Sequence, residues 1–232
     1  MLKTMSTEET RRMMLAVCDR IIAEKPCLTQ LDSPIGDADH GIGMSRGMMA
    51  ARKKLKEKAC FSDINQIFKV TGRSMLSTMG GSSGVVFGTL FSGAVKDMVP
   101  EENLTADLFC RMMENGLAQV QKRGKAQPGD KTMVDALAPS VTAMKKRVGE
   151  SEDLVGLFFL AADQARQGAE ATRDKIARHG HSKSLGKRAL GHPDPGAVSV
   201  YFIFDAMYQA GRKIEEEKAE NGIKDSQIEN GR

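Results

Sequence analysis

Apolar residues recur along this chain at intervals of three and four, the period of an α-helix with one buried face. Met13, Met14, Val17, Ile21 and Ile22 form the first such stripe, behind Ser6 and Glu9, whose spacing makes a capping box. Pro26 is expected to end that helix, and a loop rich in glycine and aspartate follows to about Gly43. A basic helix is predicted from Met44 to Lys58. Ser62 is placed to cap the next, whose stripe is Ile64, Ile67, Phe68 and Met75. Gly80-Gly81-Ser82-Ser83-Gly84 then opens an apolar segment, Val85 to Val99, and Thr105 starts an amphipathic helix running to about Lys122.

Beyond the loop Arg123 to Asp130, Asp130 is predicted to cap a helix that Pro139 kinks. Ser151, with acidic Glu152 and Asp153, begins a long helix to about Arg173, and a basic, glycine-containing stretch fills Asp174 to His192. Val198 to Phe204 has the composition of a strand. Asp194 and Pro195 ahead of it, however, fit an N-cap and a first-turn proline, so a buried helix is predicted. About eight helices and no convincing strand pair give an all-α class. The expected organisation is one domain, residues 1–212, and a charged tail, residues 213–232, frayed and then disordered.

Composition narrows the function. The 232 residues carry a net charge of +4 spread over 34 basic and 30 acidic side chains, with 5% aromatics. Nucleic-acid binding calls for clustered basic residues with stacking aromatics, and no stretch has them. No apolar run reaches the roughly 18–20 residues of a membrane span, and the first residues lack the apolar core of a signal peptide, so a cytoplasmic protein is expected. Cys18, Cys27, Cys60 and Cys110 stand far apart, as free thiols would.

The densest chemical signal is Leu31-Asp32-Ser33-Pro34-Ile35-Gly36-Asp37-Ala38-Asp39-His40-Gly41. Three short carboxylates on an irregular backbone can aim at one point, and an all-oxygen set suits magnesium, which fills its other positions with water and phosphate. The competing explanation is Asx turns that cap the next helix. Gly80 to Gly84 is a second candidate. A glycine-rich helix start offers free N–H groups and the positive end of the helix dipole to an anion, although close helix packing would also use such residues. Two further loops, Gly124-Lys125-Ala126-Gln127-Pro128-Gly129-Asp130-Lys131-Thr132-Met133 and Gly191-His192-Pro193-Asp194-Pro195-Gly196, enter helices with glycine and polar atoms available to a ligand. His179 and His181 read as solvated histidines without a carboxylate set beside them.

In this order, GDADHG, GGSSG, RGKAQPGDKTM and GHPDPGA resemble the L, or nucleotide-binding, subunit of bacterial dihydroxyacetone kinases, from about Thr10 to Arg212. The resemblance implies a closed barrel of eight antiparallel helices with the nucleotide among the loops at one end. It implies that Asp32, Asp37 and Asp39 hold two magnesium ions on ADP or ATP. His40 and Gly41 would adjoin the phosphates, His40 as a hydrogen-bond donor, with Gly81 and Ser82 at the phosphate-facing helix start. Gly124 and Met133 would meet the nucleoside, and Asp194, Pro195 and Gly196 form the last nucleotide-facing loop. The chain departs from the family at Gly43, where asparagine is usual, at His181, where arginine is usual, and at Ser184, where tyrosine is usual. His181 is kept as the nucleotide contact at the arginine's position.

The same resemblance implies a division of labour. A separate K subunit would hold dihydroxyacetone or a related short ketose, and this chain would deliver the phosphoryl group. ADP would stay bound and be recharged by a phosphotransferase-system M subunit, or ATP would exchange from solution; the lack of a fused K domain leans toward the first. A homodimer is a further expectation. The alternative is a nucleotide-loaded, non-catalytic module that docks on a transcription regulator or another partner.

Overall fold

A computed structural model describes residues 1–230, with side chains to residue 221. The chain begins in a short strand, β1 (Thr4–Ser6), paired antiparallel with β2 (Asn103–Thr105). Sequence patterning missed this ladder because each strand is three residues long. Its register sets Met5 opposite Leu104, both fully buried, and leaves Ser6 and Thr105 at the strand ends. Those two residues are the N-caps of α1 (Thr7–Ala23) and α6 (Ala106–Gly124), so one scrap of sheet starts two helices. Ser6 accepts from the Glu9 amide and Glu9 accepts from the Ser6 amide, the reciprocal box expected.

Pro26 does not lead into a long loop. It sits in the first turn of a separate helix, α2 (Lys25–Asp32), where its missing N–H costs nothing. The loop that follows is therefore short, and α3 (His40–Glu57) starts four residues before the predicted Met44. Asp63, not Ser62, caps α4 (Ile64–Thr78), because its carboxylate reaches the Gln66 amide. The glycine-serine run opens α5 (Gly81–Ala94), and α6 ends at Gly124 with Lys125 left-handed.

Asp130 does not cap the next helix. Its carboxylate accepts from the Gln127 amide and holds the loop, while α7 (Val134–Val148) begins beyond Met133. Pro139 lies inside α7 without ending it. Next come α8 (Leu154–Ala171), two 3-10 segments (Thr172–Asp174 and His181–Ala189), and α9 (Pro195–Asn230). Asp194 accepts from the Ala197 amide at 2.7 Å ahead of Pro195, as an N-cap should, and the strand-like run Val198 to Phe204 is helical. The helix continues past residue 212. Ile214 is buried and Glu217 pairs with Arg12; of the expected disordered tail, residues 231–232 lie outside the described residues.

The class is all-α. Packing follows chain order, α3 on α4, α4 on α5, α5 on α6, α6 on α7, α7 on α8 and α8 on α9, while α1 packs on both α9 and α3. Phe109 of α6 meets Phe158 of α8 edge-on, with ring centres 4.9 Å apart, and Phe204 of α9 at 6.4 Å. Gly43 of α3 faces Met79, and Gly47, one turn on, faces Met79 and also Met75, one turn back, so α3 and α4 run antiparallel. Every second helix connection thus falls at the same end of the bundle.

Candidate functional site

Four such connections converge on one cleft of about 300 Å³. They are the turn between α2 and α3, the start of α5, the loop between α6 and α7, and the strap from Thr172 to Asp194. Asp32, Asp37, Asp39, His40, Gly81, Ser82, Gly124, Met133, His181, Asp194, Pro195 and Gly196 all line it. Gly41 does not. Its missing Cβ faces α2, where an added atom would fall inside the contact radius of the Lys25 carbonyl and Thr29 Oγ1. Gly41 is a packing glycine that lets α3 start hard against α2.

One oxygen from each of Asp32, Asp37 and Asp39 lies within 4.8 Å of the others. Asp32, at the end of α2, is buried and accepts from the amides of Asp39 (3.1 Å) and His40 (3.2 Å). Asp32 thus ties down the start of α3 from seven and eight residues away, not through a local Asx turn, and the same carboxylate belongs to the cluster. Burial raises the pKa of Asp32 and of Asp39, and the charge of Asp37 raises Asp39 further. An all-oxygen cluster with such mutual repulsion fits a hard divalent cation.

Facing the carboxylates is the start of α5. Gly80 and Gly81 have φ of 70° and 60°, and an added Cβ on either would meet nothing within 4 Å. The positive φ accounts for the glycines, and the open space leaves the first-turn N–H groups facing the cleft. The far side is apolar, lined by Val86, Val120, Ala126, Met133 and Val134. One cleft therefore gathers a carboxylate cluster, an open helix start and an apolar slot.

Residues 34–209 match the family model described as the DAK2 domain. The chain belongs to that family. It is 38% identical over 195 residues to the ADP-binding subunit DhaL of the PEP-dependent dihydroxyacetone kinase of Escherichia coli, covering 84% of this chain and 92% of that one. A Listeria innocua subunit of the same description is also 38% identical, over 82% of this chain and 88% of its own. Among solved structures, the dihydroxyacetone kinase of C. freundii in complex with AMP-PNP and Mg2+ aligns with a TM-score of 0.67 and 25% identity, over 87% of this chain and 33% of that one.

Within this DAK2 domain, His40 lines the cleft from the start of α3. It is almost fully buried, with Nε2 2.8 Å from Ser199 Oγ and Nδ1 3.2 Å from Ser83 Oγ. Ser199 Oγ donates to the Pro195 carbonyl, so it accepts from Nε2–H, and Nδ1 is left to accept from Ser83. Burial lowers the His40 pKa to about 4, which keeps the ring neutral. Both ring nitrogens are thus engaged by protein hydroxyls.

The two histidines of the strap are solvated as expected, with side chains 36% and 72% exposed. Each has a carboxylate beside it: His179 Nε2 lies 3.2 Å from Asp130, and His181 Nε2 lies 3.3 Å from Asp37. The chain separation of 49 residues in the first pair hid it from the sequence. Two structural residues were missed as well. Asp135, buried, accepts from the amides of Gly129 and Thr132 and pairs with Lys175 at 2.6 Å. Lys131, equally buried, lies on the cleft wall. Both stand in the run Gly129 to Asp135, where polar residues precede a helix; their burial was the missing signal.

Asp194 offers a measurable signature. Burial pushes its pKa up to about 7, against the bond from the Ala197 amide. The folded chain therefore favours the protonated acid. Its contribution to stability is full below pH about 4 and is lost as pH rises toward 7, a loss of order 4 kcal/mol. Asp194→Asn keeps the acceptor and removes the titration. Urea unfolding at pH 4.5 and pH 8 is expected to show the variant gaining on the parent by a few kcal/mol; identical pH dependences would contradict the assignment.

Proposed function

We propose that this chain is the ADP-binding subunit of a dihydroxyacetone kinase, working in the cytoplasm with a separate ketose-holding K subunit. The observation that carries the proposal is the convergence of the aspartate cluster, the open start of α5 and the apolar slot on one cleft. The family membership and the printed function of the 38% identical relatives support the same reading.

In this proposal Asp32, Asp37 and Asp39 would hold two magnesium ions, which would supply neutralisation of the nucleotide's phosphate charge. The free amides at the start of α5, around Gly81 and Ser82, receive the phosphates, aided by the helix dipole. Neutral His40 fixes the Ser83 hydroxyl and thereby the first turn of α5. Gly124 and Met133 admit the nucleoside to the apolar slot, and Asp194, Pro195 and Gly196 close it opposite. His181 meets the nucleotide's outer phosphate from the strap, next to Asp37. Phosphoryl transfer depends mainly on alignment and charge stabilisation, which these groups provide; the acceptor hydroxyl and its base come from the K subunit. Recharging of bound ADP by a phosphotransferase-system M subunit fits a relative in Lactococcus lactis described as the ADP-binding subunit of a PTS-dependent dihydroxyacetone kinase, 31% identical to this chain.

The purified chain is expected to leave dihydroxyacetone unphosphorylated with ATP or ADP, and to support turnover once K and M subunits and their phosphoryl source are added. A coupled assay of dihydroxyacetone phosphate reads both conditions. Turnover by the chain alone, or none in the reconstituted mixture, would refute the proposal.

A further inference from the structure

We infer that Lys131 is a positioning residue, the clasp that closes the neck of the strap over the cleft. Its side chain is 2% exposed, and its Nζ donates to two backbone carbonyls, Thr172 at 2.7 Å and His192 at 2.6 Å. Those two carbonyls mark the two ends of one loop. Between them run the only strap residues that reach the cleft ahead of Asp194, namely His179, Gly180, His181 and Ser182.

The neck is reinforced in the same plane of sequence. The Gly191 amide donates to the Arg173 carbonyl at 2.9 Å, the Arg173 guanidinium donates to the Gly191 carbonyl at 2.7 Å, and the Asp194 amide donates to Thr172 Oγ1 at 2.8 Å. A loop whose ends meet in this way is held at its base while its tip covers a surface. Lys131 is the one contributor that comes from outside the loop and is buried. It belongs to the loop between α6 and α7, which itself forms the opposite wall of the cleft. Its ammonium thus ties the strap to that wall.

Further out, the strap is tied to the same wall by Lys175 on Asp135, by the Arg178 amide on the Asp130 carbonyl at 3.1 Å, and by His179 on Asp130. In the two side-chain ties the strap partner is about a third exposed, Lys175 at 32% and His179 at 36%. The bond of Lys131 to the Thr172 carbonyl is buried and that to the His192 carbonyl partly so, and bonds from a charged donor to carbonyls are about twice as strong as neutral ones. Burial of the ammonium lowers its pKa, a cost that the two carbonyls offset. The clasp sets where His181 stands relative to Asp37, and hence how long a ligand in the cleft is retained.

The strap carries its own reporter. Lys175, Arg178, Lys183, Lys187 and Arg188 are five trypsin sites within fourteen residues. In Lys131→Met, cleavage in this segment is expected to be at least tenfold faster than in the parent, without nucleotide, while sites elsewhere keep their rates. Lys131→Arg, which keeps a charged donor, is expected to restore most of the protection. Dissociation of Mg-ADP, followed by displacement of a fluorescent analogue, is expected to be at least tenfold faster in the Met variant.

The dissociation arm rests on the proposed nucleotide site; the proteolysis arm does not, so the two can fail separately. Parental cleavage rates in the strap, or acceleration spread evenly over the chain, would overturn the clasp. Should Lys131→Met not fold, Lys131→Gln, neutral but still a donor, carries the same comparison. Absence of any Mg-ADP binding by the parent would overturn the proposed function and leave the clasp standing on its proteolysis result.

Discussion

Asp37→Asn and Asp39→Asn are expected to abolish the stabilisation that Mg-ADP confers while leaving the helical fold in place. At a hundredfold excess over its dissociation constant a ligand stabilises by about 2.7 kcal/mol, which for a chain of this size is a melting shift of about 5–11 °C. In the variants that shift should shrink to within error. The reason is chemical: the amide keeps the volume and removes a charged oxygen from a set of three that lie within 4.8 Å. Asp37 and Asp39 are exposed and support no backbone bond of their own, so the apo melting point should move little, or even rise as repulsion is relieved. Asp32 would behave differently, because its carboxylate also holds the amides of Asp39 and His40. Thermal melts with and without Mg-ADP check this. Equal ligand-induced shifts in parent and variants would remove the metal site from these residues.

Gly41→Ala should do the reverse, lowering the melting point of the ligand-free chain. The added methyl would press on the Lys25 carbonyl and Thr29 Oγ1 of α2, backbone and near-backbone atoms that cannot swing aside. Overpacking of this kind costs about 1–3 kcal/mol, or roughly 2–12 °C here. A glycine kept for phosphate approach would leave the apo melting point unchanged. Scanning calorimetry without nucleotide therefore distinguishes the two roles of a residue that the sequence motif alone presents as one.

Much of the site was legible because it is written in short, contiguous runs. Asp32, Asp37 and Asp39 fall within eight residues, and Gly80 to Gly84 announces its helix start through the glycines themselves. The N-caps Ser6, Thr105 and Asp194 were readable for the same reason, since a cap and its amide are three residues apart. What escaped was set by distant partners or by burial. His179 and His181 are polar in a basic stretch, and nothing local shows that Asp130 and Asp37 await them. Pro26 can end one helix or begin another, and the choice depends on the packing of α2 against α3. His40 sits inside the most telling motif, yet its hydrogen bonds go to Ser83 and Ser199, at separations of 43 and 159 residues.

The walls of the cleft also carry a consequence for synthesis. They come from the segments around residues 32–40, 80–87, 120–134 and 179–196, and β1 must wait for residues 103–105 before it has a partner. A nascent chain that has left the ribosome only as far as α6 holds its aspartates in place of a site, facing no strap and no apolar slot. Longer-range closure of this kind slows folding relative to helical proteins with local contacts. The nucleotide would then be captured only after the GHPDPGA segment emerges, so stalled or C-terminally truncated copies would be released empty.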